Sequence, residues 1–299
     1  MGSILHTPVM LQEILDFLDL KPGELIVDAT VGTAGHSQEI IKRITPGGRL
    51  IGIDRDQESL VVADQRLREY ADACKLIHGN FSGIDNILAN LNIKKIDGIL
   101  FDLGISTFQL ADSRRGFSFQ EEGPLDMRLD RTSYISAYDL LNNLNEEEIS
   151  MMLRDFGQER WHNRIAYLLV RERQRHPIAT TAELVNIVVN AIPARYRHRY
   201  YRIHPATRTF QAVRIAVNRE LEALGNAINK TVDFLSRGAR ICIISFHSLE
   251  DRIVKFSFRR LAAEEKLRIL TPKPLTTRES EIKDNPASRS AKLRVAQRL

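Results

Sequence analysis

Three acidic residues stand at the ends of short apolar runs: Asp28 after Leu25-Ile26-Val27, Asp54 after Leu50-Ile51-Gly52-Ile53, and Asp102 after Gly98-Ile99-Leu100-Phe101. An aromatic residue, Phe81, follows a fourth such run at 74–78. Apolar runs of this length bounded by turns read as buried strands, and ligands of α/β folds bind at the carboxyl ends of strands. Carboxylates placed there can hold a hydroxyl or a cation, or accept a hydrogen from a nucleophile.

Spacing narrows the chemistry. Asp54 lies 22 residues after Gly32, close to the ~20-residue interval at which an acidic side chain meets a ribose hydroxyl in nucleotide-binding α/β folds. The loop 28–35 contains Gly32 and Gly35 but neither G-x-G-x-x-G nor G-x-x-x-x-G-K-[ST], so no diphosphate or triphosphate cradle is visible. Small residues between two strand-end acids suit S-adenosylmethionine, which is cationic at its sulfonium and amino groups and carries no phosphate. A generic Rossmann-like turn would look the same. Methyl transfer from a sulfonium needs mainly alignment. An exocyclic amine of a base is a harder nucleophile, because its lone pair is delocalised into the ring, and it needs an acceptor for its amino hydrogen. Asp102, followed by Leu-Gly-Ile-Ser, is placed to be that acceptor, the alternative being a turn cap.

The elements that must position these groups alternate. Strands are expected at 25–27, 49–53, 74–78, 96–103 and 239–245, with helices at 11–20, after Ser37 as cap, at 56–71 and at 82–91. Alternation implies a parallel sheet with right-handed crossovers. Two closing strands in the tail would complete a mostly parallel seven-stranded sheet, a Rossmann-like α/β fold. Residues 137–189 read as several helices without strands, one opening at the capping pattern Asn145-Glu-Glu-Glu148. A long helix is expected over 207–235, ended by Gly238. The division is therefore a catalytic domain of 1–108 and 209–299 interrupted by an inserted all-α domain of 109–208.

Charge concentrates in the insertion. Between Arg154 and Arg214 stand twelve arginines, no lysine and four acids, although the whole chain of 299 residues carries only +5. Arg195-Tyr-Arg197-His-Arg199-Tyr-Tyr-Arg202 interleaves guanidinium groups with rings, a pairing that neutralises phosphates and stacks on unpaired bases. These four arginines are the candidate RNA contacts, against the alternative of a solvated basic face. The two cysteines, Cys74 and Cys242, read as reduced core thiols. The eight histidines form no zinc-like cluster, so no metal is expected. His6 and His247 are left open between pocket and structural roles. No apolar run approaches a membrane span of about 18 residues, and a cytoplasmic protein is the default.

The motifs form a recognisable set. His6-Thr-Pro-Val-Met, Asp28-Ala-Thr-Val-Gly-Thr-Ala-Gly-His36, Gly52-Ile-Asp-Arg-Asp56, Phe101-Asp-Leu-Gly-Ile-Ser106, Arg115-Gly-Phe-Ser-Phe and Gly123-Pro-Leu-Asp-Met-Arg128 occur in that order. They are followed by His204-Pro-Ala-Thr-Arg-Thr-Phe-Gln211, Phe246-His-Ser-Leu-Glu-Asp-Arg252 and Ser288-Arg-Ser-Ala-Lys-Leu-Arg294. From His6 to the C-terminus the chain resembles the bacterial methyltransferase family that modifies the exocyclic N4 amine of a cytosine in 16S ribosomal RNA. The resemblance implies S-adenosylmethionine as donor, held by Ala34, Gly35, His36, Asp54, Phe81, Asp102 and Gln109. By it, Asp54 would take the ribose hydroxyls and Phe81 would pack near adenine. It implies a decoding-region cytosine of the small subunit as substrate, and it admits a homodimer. Thr107 departs from the second serine expected after Ser106. Two rivals stand beside it: a non-catalytic RNA-binding assembly factor that keeps a donor site, and a methylase of DNA amines.

Overall fold

The computed structural model describes residues 8–197 and 204–299, with the side chains of Arg195 and Arg197 outside that description. In chain order the elements are α1 (Leu11–Leu18), β1 (Leu25–Asp28), α2 (Gly35–Ile44), β2 (Arg49–Asp54), α3 (Gln57–Arg66), β3 (Cys74–His78), α4 (Ile84–Asn90) and β4 (Ile96–Asp102). Seven helices follow: α5 (Thr107–Ala111), α6 (Ala137–Asn143), α7 (Glu146–Gly157), α8 (His162–Arg173), α9 (Thr181–Ala191), α10 (Ala194–Arg197) and α11 (Thr207–Asn218). The chain closes with α12 (Glu220–Thr231), β5 (Leu235–Ser245), α13 (Ser248–Ala263), β6 (Leu267–Ile269), β7 (Leu275–Thr276), α14 (Glu279–Asp284) and β8 (Lys292–Arg298). Two compact units result, one of residues 1–104 with 221–299 and one of 105–220, where the sequence set the insertion at 109–208.

The sheet unit has strand order β3-β2-β1-β4-β5-β8-β6, with β7 paired to β8 off that path. β1 to β5 are parallel, and β8 runs antiparallel to β5, β6 and β7. The seven strands expected lie along this path; the eighth is two residues long, too short to leave a pattern. Helices cover both faces, and this explains the continuous apolar runs. Ile26, Leu50, Leu100 and Cys242 face one core with α1, α2 and α3. Their neighbours Val27, Ile51, Phe101 and Ile243 face the other with α4, α12 and α13. Alternate residues of a strand point to opposite faces, so consecutive positions of the central strands are buried, Ile26–Asp28, Leu50–Ile53 and Gly98–Phe101 among them. Phe101 is fully buried, and its truncation to Ala would cost roughly 3–5 kcal/mol.

The helical unit has its own core, built from Leu141, Ile149, Leu153, Leu169, Leu184, Phe210 and Val213 among others. α7 starts at the expected capping box, Asn145 and Glu148 each binding the other's backbone N–H. Its end crosses α11 so tightly that a Cβ on Gly157 would lie 2.6 Å from the Arg208 carbonyl oxygen.

Several sequence expectations change. The helix expected over 207–235 is two helices, because Arg219 takes a left-handed conformation (φ 50) between α11 and α12. The apolar stripe misled because it serves two cores: Phe210 and Val213 belong to the helical unit, Leu224 and Ile228 to the sheet unit. Gly238 lies inside β5 instead of ending a helix. The helix expected over 56–71 ends at Arg66 and is followed by a 3-10 turn, and the one over 82–91 starts at Ile84. No helix among the described residues is long and apolar enough to cross a membrane.

Candidate active site

The loop after β1 is pinned across three strand ends. Ala29 N–H donates to the Leu100 carbonyl of β4 (2.9 Å) and Val31 N–H to the Ile53 carbonyl of β2 (3.0 Å). Gly32 (φ 50) and Ala34 (φ 64) then turn the chain through left-handed conformations into α2. Gly35 opens that helix with no room for a side chain, since a Cβ there would meet Pro8 Cγ at 2.9 Å. Ser37 is not the cap that the sequence suggested. Ala34 precedes the helix without a side-chain cap, and the Ser37 hydroxyl donates instead to Asp28 Oδ2 at 2.7 Å.

The strand-end acids divide into roles. Asp28 is 1% exposed, and its second oxygen accepts Thr30 N–H at 3.1 Å. It is a brace between loop and helix, which removes it from the groups a ligand could touch. Asp54 is half-buried, and each of its oxygens accepts one backbone N–H, from Gly32 and from Asp56, both at 2.8 Å. Asp102 is different. Its backbone N–H donates to Thr30 Oγ1 (2.6 Å), yet its Oδ1 is buried with no hydrogen-bond partner among the described residues. Oδ2 lies 3.5 Å from His36 Nδ1, and His36 Nε2 lies 2.9 Å from the Val9 carbonyl oxygen.

Burial pushes all three carboxyls up, Asp28 and Asp54 to about 6 and Asp102 to about 8. For Asp102 the negative charges of Asp28 and Glu250 add to the burial. A cation delivered to this rim would reverse the balance, because it favours the ionised carboxylates that burial disfavours.

Phe81 opens a 3-10 turn (Phe81–Gly83) after β3, and its ring stands edge-on to Phe101, centroids 5.6 Å apart. The Lys230 ammonium fixes that turn through the Ser82 carbonyl (2.9 Å) and Asp85 (2.8 Å). Ala34, Gly35, His36, Asp54, Phe81 and Asp102 thus all sit on the carboxyl-end rim of the sheet unit, on the loops and strand ends just described. Gln109 belongs to the helical unit, where it is buried and closes a capping box with Ser106. His247 is the N-cap of α13, its partner Glu250 accepting Phe246 N–H at 2.8 Å. His6, Arg199 and Arg202 lie outside the described residues, and of Arg195 and Arg197 only the backbone, in α10, is within them. Two contributors escaped the sequence reading. Thr30 lies 72 residues from Asp102, and Glu250 acts on Asp102 through charge; neither relation leaves a local signal.

Burial also sets the thiols: Cys74 is pushed up to about 11 and Cys242 higher still, and both are free.

The model of the MraW methylase family matches residues 3–299. Proteins named "Ribosomal RNA small subunit methyltransferase H" are similar over their whole length. That of Halothermothrix orenii is 47% identical, covering 98% of this chain and 98% of the relative. That of Pelobacter propionicus is 47% identical over 100% of both chains. That of Persephonella marina is 48% identical, covering 98% of this chain and 99% of the relative.

Proposed function

The chain belongs to the MraW methylase family, and from that premise we propose that it transfers a methyl group from S-adenosylmethionine to the exocyclic N4 amine of a cytosine in the decoding region of 16S ribosomal RNA. The relatives' printed name supports ribosomal RNA as the substrate. Small-subunit RNA within a ribosomal particle, met in the cytoplasm by one copy of the chain or by a homodimer, is the setting this reading implies.

One observation carries it: Asp102 presents a buried carboxylate oxygen with no partner at the rim where Asp54 and the Gly35 loop also lie. The residues fit the donor. Among the described residues His36 is the one basic side chain within ion-pair reach of Asp102, so the rim has an excess of acidic groups suited to a sulfonium and an ammonium. The N–H groups of Ala29, Val31 and Gly32 are spent on strand carbonyls and on Asp54, an arrangement suited to a ligand without phosphate. Bound, the donor supplies a methyl whose bond to sulfur breaks, the electron pair staying with sulfur, while the amine lone pair forms the new N–C bond.

Asp102 Oδ1 accepts the amino hydrogen, drawing the nitrogen out of conjugation and into nucleophilic geometry. Asp54 has one lone pair of each oxygen left for ribose hydroxyls, and Phe81 offers an edge-braced ring for adenine. Ala34, Gly35 and His36 line the donor's amino-acid end, and Gln109 is the remaining donor-binding candidate of this reading. That unit is the substrate domain, and Arg195, Arg197, Arg199 and Arg202 hold RNA phosphates.

Incubation with isotopically labelled donor and small subunits from cells lacking the enzyme tests this. Label enters RNA if the reading is right. A protein that binds the particle and the donor without transferring label is the assembly factor instead, and preferential labelling of DNA makes it a DNA methylase.

A further inference from the structure

We propose that His36 is a positioning residue for this transfer: it holds one proton against Asp102 Oδ2 and so keeps Oδ1 as the acceptor for the amine hydrogen. The proposal rests on the reading of Asp102 as acceptor. It starts from the Val9 carbonyl, 2.9 Å from His36 Nε2. A carbonyl has no proton to give, so Nε2 is the N–H and donates. In a neutral ring the other nitrogen is then a bare lone pair. That nitrogen, Nδ1, lies 3.5 Å from Asp102 Oδ2, long for a hydrogen bond and within ion-pair reach. A lone pair set against a carboxylate oxygen repels it, and burial would magnify the repulsion. The contact is attractive only with one proton between the two groups, either as imidazolium beside carboxylate or as carboxylic acid donating to the neutral ring.

Both partners are held in place for this. His36 is buried in the first turn of α2, anchored at the far nitrogen by Val9. Asp102 is anchored through its N–H to Thr30 Oγ1. The other charged groups that act on Asp102 are Asp28 at the end of β1 and Glu250 on α13, both acidic. Each of them favours keeping the shared proton in the pair. Wherever that proton rests, Oδ1 is left without a protein partner.

The proton count closes. If the shared proton is on the ring, the amine proton passes to Oδ1 and the pair becomes imidazolium and carboxylic acid. If it is on Oδ2, it moves to Nδ1 as the amine proton arrives at Oδ1, and the end state is the same. The substrate loses one proton and the pair gains one, which later passes to solvent.

Nuclear magnetic resonance of ring-labelled histidine in the donor-free protein tests the pair without any turnover. His36 is expected to show an N–H at Nε2, and its Nδ1 resonance to report the proton shared with Asp102, carried on the ring or donated from Oδ2, until well above the ordinary histidine value of about 6.5. In D102N, whose remaining spectrum reports whether it is folded, that upper titration disappears. A His36 that titrates alike in both proteins overturns the proposal. Kinetics give a second reading. His36→Leu should lower kcat about 10- to 100-fold, beyond any change in calorimetric donor affinity, whereas His36→Asn, whose amide can donate to Oδ2 without titrating, should recover part of that kcat and shift the acid limb of the pH profile, which then reports Asp102 alone. A Leu variant that loses donor affinity but keeps kcat makes His36 a binding group only. Should wild-type protein transfer no label at all, the functional reading fails, and the resonance result still reports on the pair.

Discussion

The sheet unit's rim and the helical unit's loop 112–139 both gather carboxylates, and they treat them in opposite ways. At the rim Asp28, Asp54 and Asp102 are raised by burial, and each by a neighbouring acid as well. In that stretch Asp112, and Asp139 in the first turn of α6, are held below their ordinary value, by the Arg114 guanidinium and by the Ser136 hydroxyl and N–H respectively. Asp126 is half-buried, and burial alone would raise it. The forked bond from Arg128 (2.8 and 2.7 Å) outweighs burial and lowers it. The loop is otherwise closed on itself: buried Arg115 donates to the Arg128 and Leu129 carbonyls at 3.0 Å, and Asn218 binds Leu129 N–H and the Met127 carbonyl at 2.8 Å. Paired carboxylates build structure. Raised ones without lysine or arginine are the mark of a site that receives its cation from a ligand.

The largest test of that contrast is Asp102→Asn, which should lower turnover about a hundred- to ten-thousand-fold while circular dichroism and the melting curve stay native. Near-normal turnover would return Asp102 to the class of turn caps. The matching change in the loop is Arg115→Met, expected to destabilise the helical unit by roughly 2–3 kcal/mol by removing the donor to two part-buried carbonyls. Denaturant unfolding measures it, and a loss under about 1 kcal/mol would mean the loop is held elsewhere.

How much of this could be read from the chain follows the same division. The strand ends were legible because a parallel sheet covered on both faces writes its strands as uninterrupted apolar runs, and Asp54 and Asp102 close two of them. What stayed hidden was long-range or shared between cores. Asp28 has the same local context as Asp54, and only the fold shows Ser37 and Thr30 taking both of its oxygens. The break at Arg219 was invisible because one helical stripe runs through Phe210 and Val213 into Leu224 and Ile228 without losing phase, although the two halves serve different cores.

Smaller effects are expected at the other groups. Asp54→Ala should weaken donor binding about 10- to 100-fold by calorimetry, and unchanged affinity would remove it from the ribose role. Donor affinity should also rise, by roughly tenfold, from pH 5 to pH 7 with release of protons, because a bound cation favours the ionised form of Asp54, whose carboxyl is raised to about 6. The sign for stability is opposite. A carboxyl raised by folding stabilises fully below its unfolded value of about 3.9 and loses that contribution as pH climbs through its folded value. The donor-free protein should therefore melt lower at pH 9 than at pH 6, with Asp102→Asn flattening the difference. The helical unit should answer to salt instead. Each of Arg195, Arg197, Arg199 and Arg202 changed to Ala should weaken RNA binding a few-fold and reduce the slope of log affinity against log salt by about one per phosphate contact.

On this reading the Asp102 oxygen that lacks a partner among the described residues directs a methyl group onto a cytosine amine of small-subunit RNA. Nucleoside mass spectrometry of that RNA, from cells deleted for this gene and carrying either the wild-type or the D102N chain, tests it most directly. N4-methylated cytidine should be lost on deletion, return with the wild type and stay absent with D102N. Its persistence in the deleted strain, or its full return with D102N, would contradict the account.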